Sequence, residues 1–381
     1  MSGAAMAGGA AGGAAGGAAG GAAGGAAGGA AGGAAGGAAF PTTFSDQFSS
    51  TLVVDALVRN RDALVDPMDD AASHPLLRKP DIVRWDPWVR IFLGVQSLLE
   101  GLSFETTPLL AGTMTQAALE SRAVALRTGA GSLVVQLRRP GKAVFDAQLQ
   151  QVLQWAELRG ERATEILAQI DHQHAFWGSV VPYHTGRMRK TAELLEAVTQ
   201  FVVFVEARLK HEFGCWRPNE LSPQVQPMIT TPGHGAFPSG HCTQAYAMAH
   251  VLAQLVGSAG SPRDVQLQRL AARIAMNRVV AGVHYPVDNL AGRLLGVTLG
   301  EVAMSRLRPS AAAPWTPRSF DGAQLDGSET FLPGSQPLDG AARPAFYQPW
   351  DGEPPAAEPL PPSALLQQLW DEAWAECAYL R

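Results

Sequence analysis

Three short polar motifs between Lys210 and Asp288 hold the residues of this chain whose types and spacing could do chemistry. Each motif lies beside an apolar run with helical spacing, so we expect three donor-rich segments carried on separate helices. Such segments make chemical sense if their ends meet in one place. The motifs are Lys-x6-Arg-Pro at Lys210–Pro218, Pro-Ser-Gly-His at Pro238–His241 and Arg-x5-His-x3-Asp at Arg278–Asp288.

The cations and neutral donors of these motifs suit a bound oxyanion. Lys210, Arg217 and Arg278 would surround it, and the Ser239 hydroxyl and the Gly240 N–H would be further donors. Three positive charges and two neutral donors match a tetrahedral species with two or three negative charges, and a water-poor interior strengthens the attraction. The sequence therefore predicts a pocket for phosphate or vanadate.

Two histidines and one aspartate of the same motifs could add reactivity. One histidine can attack or ligate the central atom of the anion, while the other passes protons to an apical oxygen. The two candidates are His241 and His284. Asp288 follows His284 by four residues, which is one helical turn, so it can orient that imidazole.

Apolar periodicity predicts the helices that must position these residues. Thr191–His211 carries a wide apolar stripe, and Lys210 leaves the buried face where this helix ends. Pro-Ser-Gly-His opens a second helix, whose N-terminus is an anion site because unpaired N–H groups and the helix dipole point there. Arg263–Val280 places Arg278 on its apolar stripe, and Val287–Arg306 continues after a break.

The rest of the chain also favours helices. Apolar residues three and four apart predict helices over Trp85–Leu102, Leu109–Leu126, Phe145–Leu158 and Ala163–Ile170, and one helix is expected between residues 40 and 81. Ser363 caps a final amphipathic helix that must dock on the core or on another chain, so a homo-oligomer stays open. Strand-like alternation is scarce, and the sequence therefore predicts an all-α, soluble helical bundle.

Composition divides the chain into four parts. Residues 1–39 repeat Ala-Ala-Gly-Gly and are expected to be a disordered tail, since each Gly disfavours a helix by about 1 kcal/mol. The helical domain is expected over 40–309, and residues 310–362 form a Pro/Gly-rich irregular segment that could wrap the core. The C-terminal amphipathic helix takes residues 363–381.

Charge and cysteine content exclude several classes of protein. A net charge of −5 with 17% charged residues gives no broad basic surface for nucleic acid. The three cysteines have no metal-ligand spacing and cannot all pair, which is typical of a reducing compartment. No run reaches the 18 apolar residues of a membrane span, and we expect no signal peptide, because no Lys or Arg precedes Arg59 and no large apolar run lies near the start. We therefore expect a cytoplasmic location.

Together the three motifs resemble those of the superfamily of type 2 phosphatidic acid phosphatases (PAP2) and vanadium-dependent haloperoxidases. The resemblance covers about Ala163–Arg306 and departs at Asn277, where the family often has Ser. It implies that His284 is the covalent nucleophile of a phosphatase or the axial vanadium ligand of a haloperoxidase, and that His241 is the acid–base residue. The residues that it assigns to the equatorial oxygens of the anion are Lys210, Arg217, Ser239, Gly240 and Arg278.

The resemblance leaves two activities open, and two features favour the haloperoxidase. Lipid phosphatases of the superfamily span membranes and its soluble acid phosphatases are exported, whereas we expect neither a membrane span nor a signal peptide in this chain. His234 also lies four residues before Pro238, as in algal bromoperoxidases, which implies a role on the halide side. The preferred interpretation is a vanadate cofactor that oxidises bromide with hydrogen peroxide. The alternative is a soluble acid phosphatase acting on phosphate monoesters through a phosphohistidine, and a non-catalytic member is disfavoured by the full set of charged residues.

Deleting residues 1–39 is expected to leave folding and activity unchanged, because a segment of almost only Ala and Gly cannot offset its own ordering entropy. Thermal unfolding of the truncated and full chains checks this expectation. A melting temperature lower by several degrees after truncation would contradict it.

Overall fold

The computed structural model describes residues 51–64, 85–106, 120–170, 173–308, 315–348 and 363–381. The expected disordered tail, residues 1–39, lies outside these ranges, and so does part of the helix expected over Leu109–Leu126. The domain boundaries stay a prediction.

The helices predicted from apolar periodicity over residues 85–102 and from residue 145 onward are confirmed, and a helix also lies in the 40–81 region. Short 3-10 helices join them at Ala156–Leu158, Pro223–Val225, Gly322–Gln324, Pro333–Ser335 and Ala378–Leu380. The α-helices are α1 (Thr51–Leu64), α2 (Pro87–Leu99), α3 (Lys142–Trp155), α4 (Arg159–Ala168), α5 (His174–Val180), α6 (Arg189–Phe213), α7 (Pro218–Leu221), α8 (Gly240–Leu255), α9 (Pro262–Val280), α10 (Pro286–Leu307) and α11 (Ala364–Glu376).

The prediction of an all-α fold is wrong, because the chain also forms a five-stranded mixed sheet. The strands follow the chain in order, and β3 pairs with β4 in parallel while the other neighbours are antiparallel. The centre of β2 and most of β3 are buried, so their apolar residues run almost continuously and show little alternation. The strands are β1 (Leu102–Thr106), β2 (Ala123–Thr128), β3 (Leu133–Arg138), β4 (Arg318–Asp321) and β5 (Tyr347–Gln348).

Two details of the sequence interpretation change with the sheet. The end of the expected helix Leu109–Leu126 lies in strand β2, and residues 129–132 form the turn between β2 and β3. Strands β4 and β5 come from the segment 310–362 that the sequence described as irregular. This later segment therefore shares a sheet with β3, which precedes the three motifs in the chain.

Helices α8 and α10 pack closely at the centre of the fold, each burying most of its length. Three glycines four residues apart on α10, Gly292, Gly296 and Gly300, face α8. A Cβ atom at Gly296 would lie 2.4 Å from the main-chain oxygen of Thr243. The two backbones can approach this closely because position 296 has no side chain.

An aromatic cluster joins the sheet to the Pro-Ser-Gly-His motif. Phe237, just before the motif, contacts Phe213 at the end of α6 and Phe320 of β4, with ring centroids 5.3 and 5.8 Å apart. Phe320 in turn contacts Tyr347 of β5, whose hydroxyl donates to the Leu290 carbonyl of α10 at 3.0 Å. The strands that the sequence did not predict therefore support the loop that leads into α8.

The C-terminal helix docks on the core of its own chain, which is one of the two alternatives that the sequence left open. Its buried face packs on α6 and α2. Glu376 at the end of α11 accepts hydrogen bonds from the Lys190 and Thr191 main-chain N–H groups and from the Thr191 hydroxyl. A carboxylate at this position satisfies unpaired N–H groups at the start of α6 and complements the helix dipole.

Gly296→Ala is expected to destabilise the fold by about 1–3 kcal/mol, because its new Cβ must push α8 and α10 apart. This loss should outweigh the gain of at most about 1 kcal/mol from the better helix propensity of Ala. Gly160→Ala in α4 is the matched control, since a Cβ there meets nothing within 4 Å. Urea unfolding measures both variants, and an equal free energy of unfolding for the two would contradict the close packing.

Candidate functional site

The structure brings the three sequence motifs together where α6 and α9 end and where α8 and α10 begin. The Lys210 ammonium donates to the Pro238 carbonyl at 2.5 Å, which joins the first motif to the second. The Ser239 N–H donates to the Asp288 carbonyl at 2.9 Å, which joins the second to the third. All the side chains that the sequence assigned to the anion or to catalysis lie in these three motifs and are buried.

Lys210 lies near the end of α6 and is almost fully buried. Its Nζ faces a row of loop carbonyls, with Ala236 at 3.4 Å and Gly235 at 3.5 Å beyond the contact to Pro238. Burial lowers the pKa of this amine, while the nearby Glu206 carboxyl opposes that shift. Lys210 is thus fixed beside the loop that begins α8.

Arg217 is the most extensively bonded cation of the site. Its Nη1 donates to the Val283 carbonyl at 2.6 Å and approaches His284 Nε2 at 3.0 Å. Its Nε and Nη2 contact the carbonyl and Nδ1 of His234 at 3.0 and 3.2 Å. Burial lowers the pKa of Arg217 to about 10, so the side chain stays charged at neutral pH.

His234, for which the sequence resemblance implied a role on the halide side, lies against Arg217. Burial, with Lys210 and Arg217 nearby, lowers the pKa of His234 to about 3, so this imidazole is neutral. His234 also lies on the wall of a cavity of about 380 Å³. Lys210 and Glu206 line the same cavity.

The start of α8 presents neutral donors. Ser239 occupies the N-cap position, and its fully buried hydroxyl has no hydrogen-bond partner among the described residues. Gly240 begins the helix, so its N–H belongs to the first turn that an α-helix leaves unpaired internally. A Cβ at Gly240 would lie 2.5 Å from Glu206 Oε1, so the carboxyl group occupies the space of a side chain.

Glu206 is a site residue that the sequence analysis missed. It lies one helical turn before Lys210 and is almost fully buried, and its Oε1 accepts from Gln244 Nε2 at 3.2 Å. Burial raises the pKa of Glu206 above its usual range, partly offset by Lys210. An acidic residue four before Lys210 on the same buried helix face was the available signal.

Arg278 is the cation with donors to spare. It is fully buried near the end of α9, and its Nη2 donates to the Ile166 carbonyl at 3.0 Å. Its Nε and Nη1 have no hydrogen-bond partner within the described ranges. Burial lowers the pKa of Arg278 to about 10, which leaves it charged at neutral pH. A buried guanidinium with two unpaired nitrogens is suited to a bound oxyanion.

His284 and Asp288 form the pair expected from their spacing. His284 Nδ1 lies 2.8 Å from Asp288 Oδ2, which also accepts from the Tyr285 N–H at 3.0 Å. With the proton on Nδ1, the Nε2 lone pair faces Arg217. Burial and the cations Arg217 and Lys210 lower the pKa of His284 well below its ordinary value. The imidazole is therefore neutral, and Nε2 carries the lone pair that Arg217 Nη1 contacts.

His241 lies in the first turn of α8 beside Arg278. Burial and the Arg278 charge lower its pKa to about 3, while backbone hydrogen bonding to Ile170 and Gln169 favours its protonated form. His241 is thus a second neutral imidazole in the same buried site. Asn277, the departure from the family motif, donates from its side chain to Gln169 Oε1 at 2.8 Å, so it serves the end of α4.

The arrangement can hold a tetrahedral oxyanion. Among the described residues, the donors of the site without partners belong to Arg278 and Ser239, the first turn of α8 adds N–H groups, and Lys210 and Arg217 add charge. Phosphate and orthovanadate both fit this donor set, because each is a tetrahedral anion whose oxygens accept hydrogen bonds. Within the described ranges, no group of three or more His, Cys, Asp or Glu side chains could hold a metal cation.

The described helices include none with the length and apolar character that a membrane crossing requires. The three cysteines are buried and unpaired, as expected from their number.

Parts of this chain are similar to two phosphatases and to one protein family. The chain is 34% identical over 83 residues to the decaprenylphosphoryl-5-phosphoribose phosphatase of Mycobacterium tuberculosis (strain ATCC 25618 / H37Rv), which is 22% of this chain and 44% of that protein. The protein of the same name from Mycolicibacterium smegmatis (strain ATCC 700084 / mc(2)155) is 36% identical over 76 residues, covering 20% of this chain and 39% of its own length. The matched region thus spans less than half of each relative.

The sequence profile of the PAP2 superfamily matches residues 192–328, which include all three motifs. The relatives named above are phosphatases, and nothing in the comparisons supports the haloperoxidase branch. Residues 192–328 of this chain are therefore a domain of the PAP2 superfamily.

Proposed function

We propose that this chain is a PAP2-type phosphatase that hydrolyses phosphate monoesters through a phosphohistidine at His284. The observation that carries the proposal is the geometry of His284, whose Nδ1 lies 2.8 Å from Asp288 and whose Nε2 faces Arg217. A nucleophile oriented by a carboxylate inside a set of cationic donors is what phosphoryl transfer needs. The phosphatase names of the two relatives support this choice.

In the first step, the Nε2 lone pair of His284 forms a bond to phosphorus while the bond from phosphorus to the ester oxygen breaks. His241, protonated once the anion is bound, gives its proton to the departing oxygen. In the second step, water attacks phosphorus, the N–P bond breaks, and the water proton passes to His241. The products are an alcohol and inorganic phosphate, so atoms and charges balance.

The cationic donors act on the charge of the phosphoryl group. Arg278 and Ser239 would bind its oxygens through groups that have no other partner among the described residues. Arg217 and Lys210 would add charge, and the Gly240 N–H would add the helix dipole.

The haloperoxidase interpretation is the weaker one. Vanadate in this donor set would supply the activation of hydrogen peroxide toward a halide, with His284 as its protein ligand. The comparisons offer phosphatases instead, and His234 contacts Arg217, which suits a support for that side chain. For a phosphatase, orthovanadate is an inhibitor that mimics the transferred group. The cytoplasmic location and a homo-oligomer stay predictions from the sequence.

His284→Ala and His241→Ala are expected to separate the two chemical roles. His284→Ala should abolish turnover and the phosphoenzyme, because no other group replaces the attacking nitrogen. His241→Ala should keep phosphate binding and lose roughly 10²- to 10⁴-fold in turnover, the range of general acid–base catalysis. Hydrolysis of a chromogenic phosphate monoester and rapid-quench detection of phosphoenzyme measure both effects.

The exposed His184, which lies outside the site, gives the control variant His184→Ala, expected to behave as the unmodified chain. A phosphoenzyme that persists in His284→Ala would exclude the proposed nucleophile. Bromide oxidation by the vanadate-loaded chain, with no phosphatase turnover in the same sample, would favour the haloperoxidase instead.

Arg278→Ala is expected to weaken phosphate and orthovanadate binding by roughly 10- to 150-fold, since a charge-assisted hydrogen bond contributes about 1.5–3 kcal/mol. Arg278→Lys should recover only part of the loss, because it keeps the charge without the planar donor pair. Arg269→Ala is the matched control, an exposed Arg on the same helix. Calorimetric titration with phosphate measures all three, and equal affinities for Arg278→Ala and Arg269→Ala would contradict the assignment.

A further inference from the structure

A ladder of hydrogen bonds joins α4 to α9 behind the candidate site. At its outer end, Arg273 donates to both carboxylate oxygens of Glu165, at 2.8 to 3.1 Å. Glu165 Oε1 also accepts from Gln169 Nε2 at 3.1 Å. At the inner end, Asn277 Nδ2 donates to Gln169 Oε1 at 2.8 Å, and Asn277 Oδ1 accepts from Arg162 at 3.4 Å.

Glu165 and Gln169 are four residues apart at the end of α4, as are Arg273 and Asn277 on α9, so the two pairs lie on facing stripes. The side chains of the ladder become less exposed from its outer end to its inner end. The side chains of Arg273 and Glu165 are 37% and 26% exposed, whereas Gln169 and Asn277 are fully buried. Buried amides without partners are costly, so the Asn277–Gln169 pair fixes the relative position of the two helices at this depth.

Two residues of the candidate site depend on the same end of α4. The Ile166 carbonyl accepts from Arg278 Nη2 at 3.0 Å. Backbone groups of Gln169 and Ile170 contact the His241 imidazole and favour its protonated form. Gln169 is the C-cap residue of α4, where helix carbonyls lack partners of their own and the helix dipole is negative.

We propose that Asn277 and Gln169 are a positioning pair that holds the end of α4 against Arg278 and His241, and so sets the geometry of anion binding and proton transfer. Neither side chain reaches the anion in this proposal. Asn277 directly precedes Arg278 in α9, and its side-chain amide binds Gln169 at the end of α4. The Arg278 side chain binds the Ile166 carbonyl in the last turn of α4. The two contacts therefore hold the end of α9 and the end of α4 together. The inference rests on the proposed phosphatase function.

An amide is needed at position 277 because one planar group must donate to Gln169 and accept from Arg162 at the same time. A serine hydroxyl is shorter and has a single oxygen. Asn277→Ser would therefore leave Gln169 Oε1 buried without its donor and would release the end of α4. The effect reaches the anion only through Arg278 and His241.

The test compares single substitutions at positions 277 and 169 with a double variant in which the two amide residues are exchanged. Asn277→Ser is expected to lower kcat for a chromogenic phosphate monoester by roughly 10-fold or more, with a smaller rise in KM, and to weaken inorganic phosphate binding several-fold. Asn277→Gln and Gln169→Asn should each be impaired. The double exchange, Asn277→Gln with Gln169→Asn, should recover part of the activity that each single variant loses, because the summed length of the two amides is restored.

Thr298→Val is the matched control. Thr298 is also fully buried and bonded through its side chain, in the middle of α10 and with partners outside the site, so this variant should lose stability while kcat and KM stay unchanged. A folded Asn277→Ser with unchanged kcat, KM and phosphate affinity would overturn the proposal. So would an equal kinetic loss in Thr298→Val at the same drop in melting temperature, or a double exchange no better than the singles.

The readouts separate this inference from the proposed function. If the unmodified chain hydrolyses no phosphate monoester, the phosphatase proposal fails, and the pair is judged on calorimetric affinity for inorganic phosphate alone. Weakened phosphate binding in Asn277→Ser with recovery in the double exchange would then still support the pair. Unchanged phosphate affinity in all variants would overturn it.

Discussion

The burial of three cations around one small volume is the constraint on which the rest of this structure depends. Lys210, Arg217 and Arg278 are nearly inaccessible to solvent, and none of them forms a side-chain ion pair within the described part of the chain. Burial lowers the pKa of all three, since desolvation disfavours the charged form. Such a group of charges persists only if carbonyls, nearby carboxyls or a bound anion compensate it.

Main-chain carbonyls accept hydrogen bonds from all three cations, and the fold is arranged to present them. Lys210 faces the loop before α8, Arg217 faces the Val283 carbonyl, and Arg278 faces the last turn of α4. The loop before α8 is supported in turn by the contact of Phe237 with Phe320, which belongs to the sheet. The close approach of α8 and α10 at Gly296 brings the Ser239 and Asp288 segments together.

The sequence predicted the parts of this arrangement that depend on local order. Helices α6, α8, α9 and α10 follow from apolar periodicity, and the convergence of the three motifs follows from charged residues placed at helix ends. Asp288 was expected to orient His284 because the two are one turn apart, and the distance of 2.8 Å agrees. The chemical roles of these residues stay proposals, since geometry alone does not test turnover.

The sheet escaped prediction for a physical reason. Strands β2 and β3 are buried over most of their length, so their residues lack the alternation that marks a half-buried strand. Strands β4 and β5 have four and two residues, and they are strands because β3 lies beside β4. Such pairing is non-local, and no short window of sequence contains it.

Two polar residues of the site environment escaped for a similar reason. Glu206 lies one turn before Lys210 in an apolar helical stripe, and its contact with Gly240 of the second motif becomes visible only in the folded chain. Gln169 has no motif of its own, and its role depends on Asn277, more than one hundred residues later. Their positions follow from the packing of α6 on α8 and of α4 on α9.

The same excess of positive charge also controls the protonation of the two catalytic histidines proposed above. Without a bound anion, burial and the neighbouring cations keep both His241 and His284 neutral, which gives His284 its nucleophilic lone pair. A neutral His241 has no extra proton for a leaving group. A phosphate dianion would offset the charge of Arg278 beside His241 and raise the pKa of that imidazole. His241 would then gain its proton only when a substrate occupies the site. The same buried cations therefore keep His284 a neutral nucleophile in the empty site and allow His241 to become an acid in the occupied one.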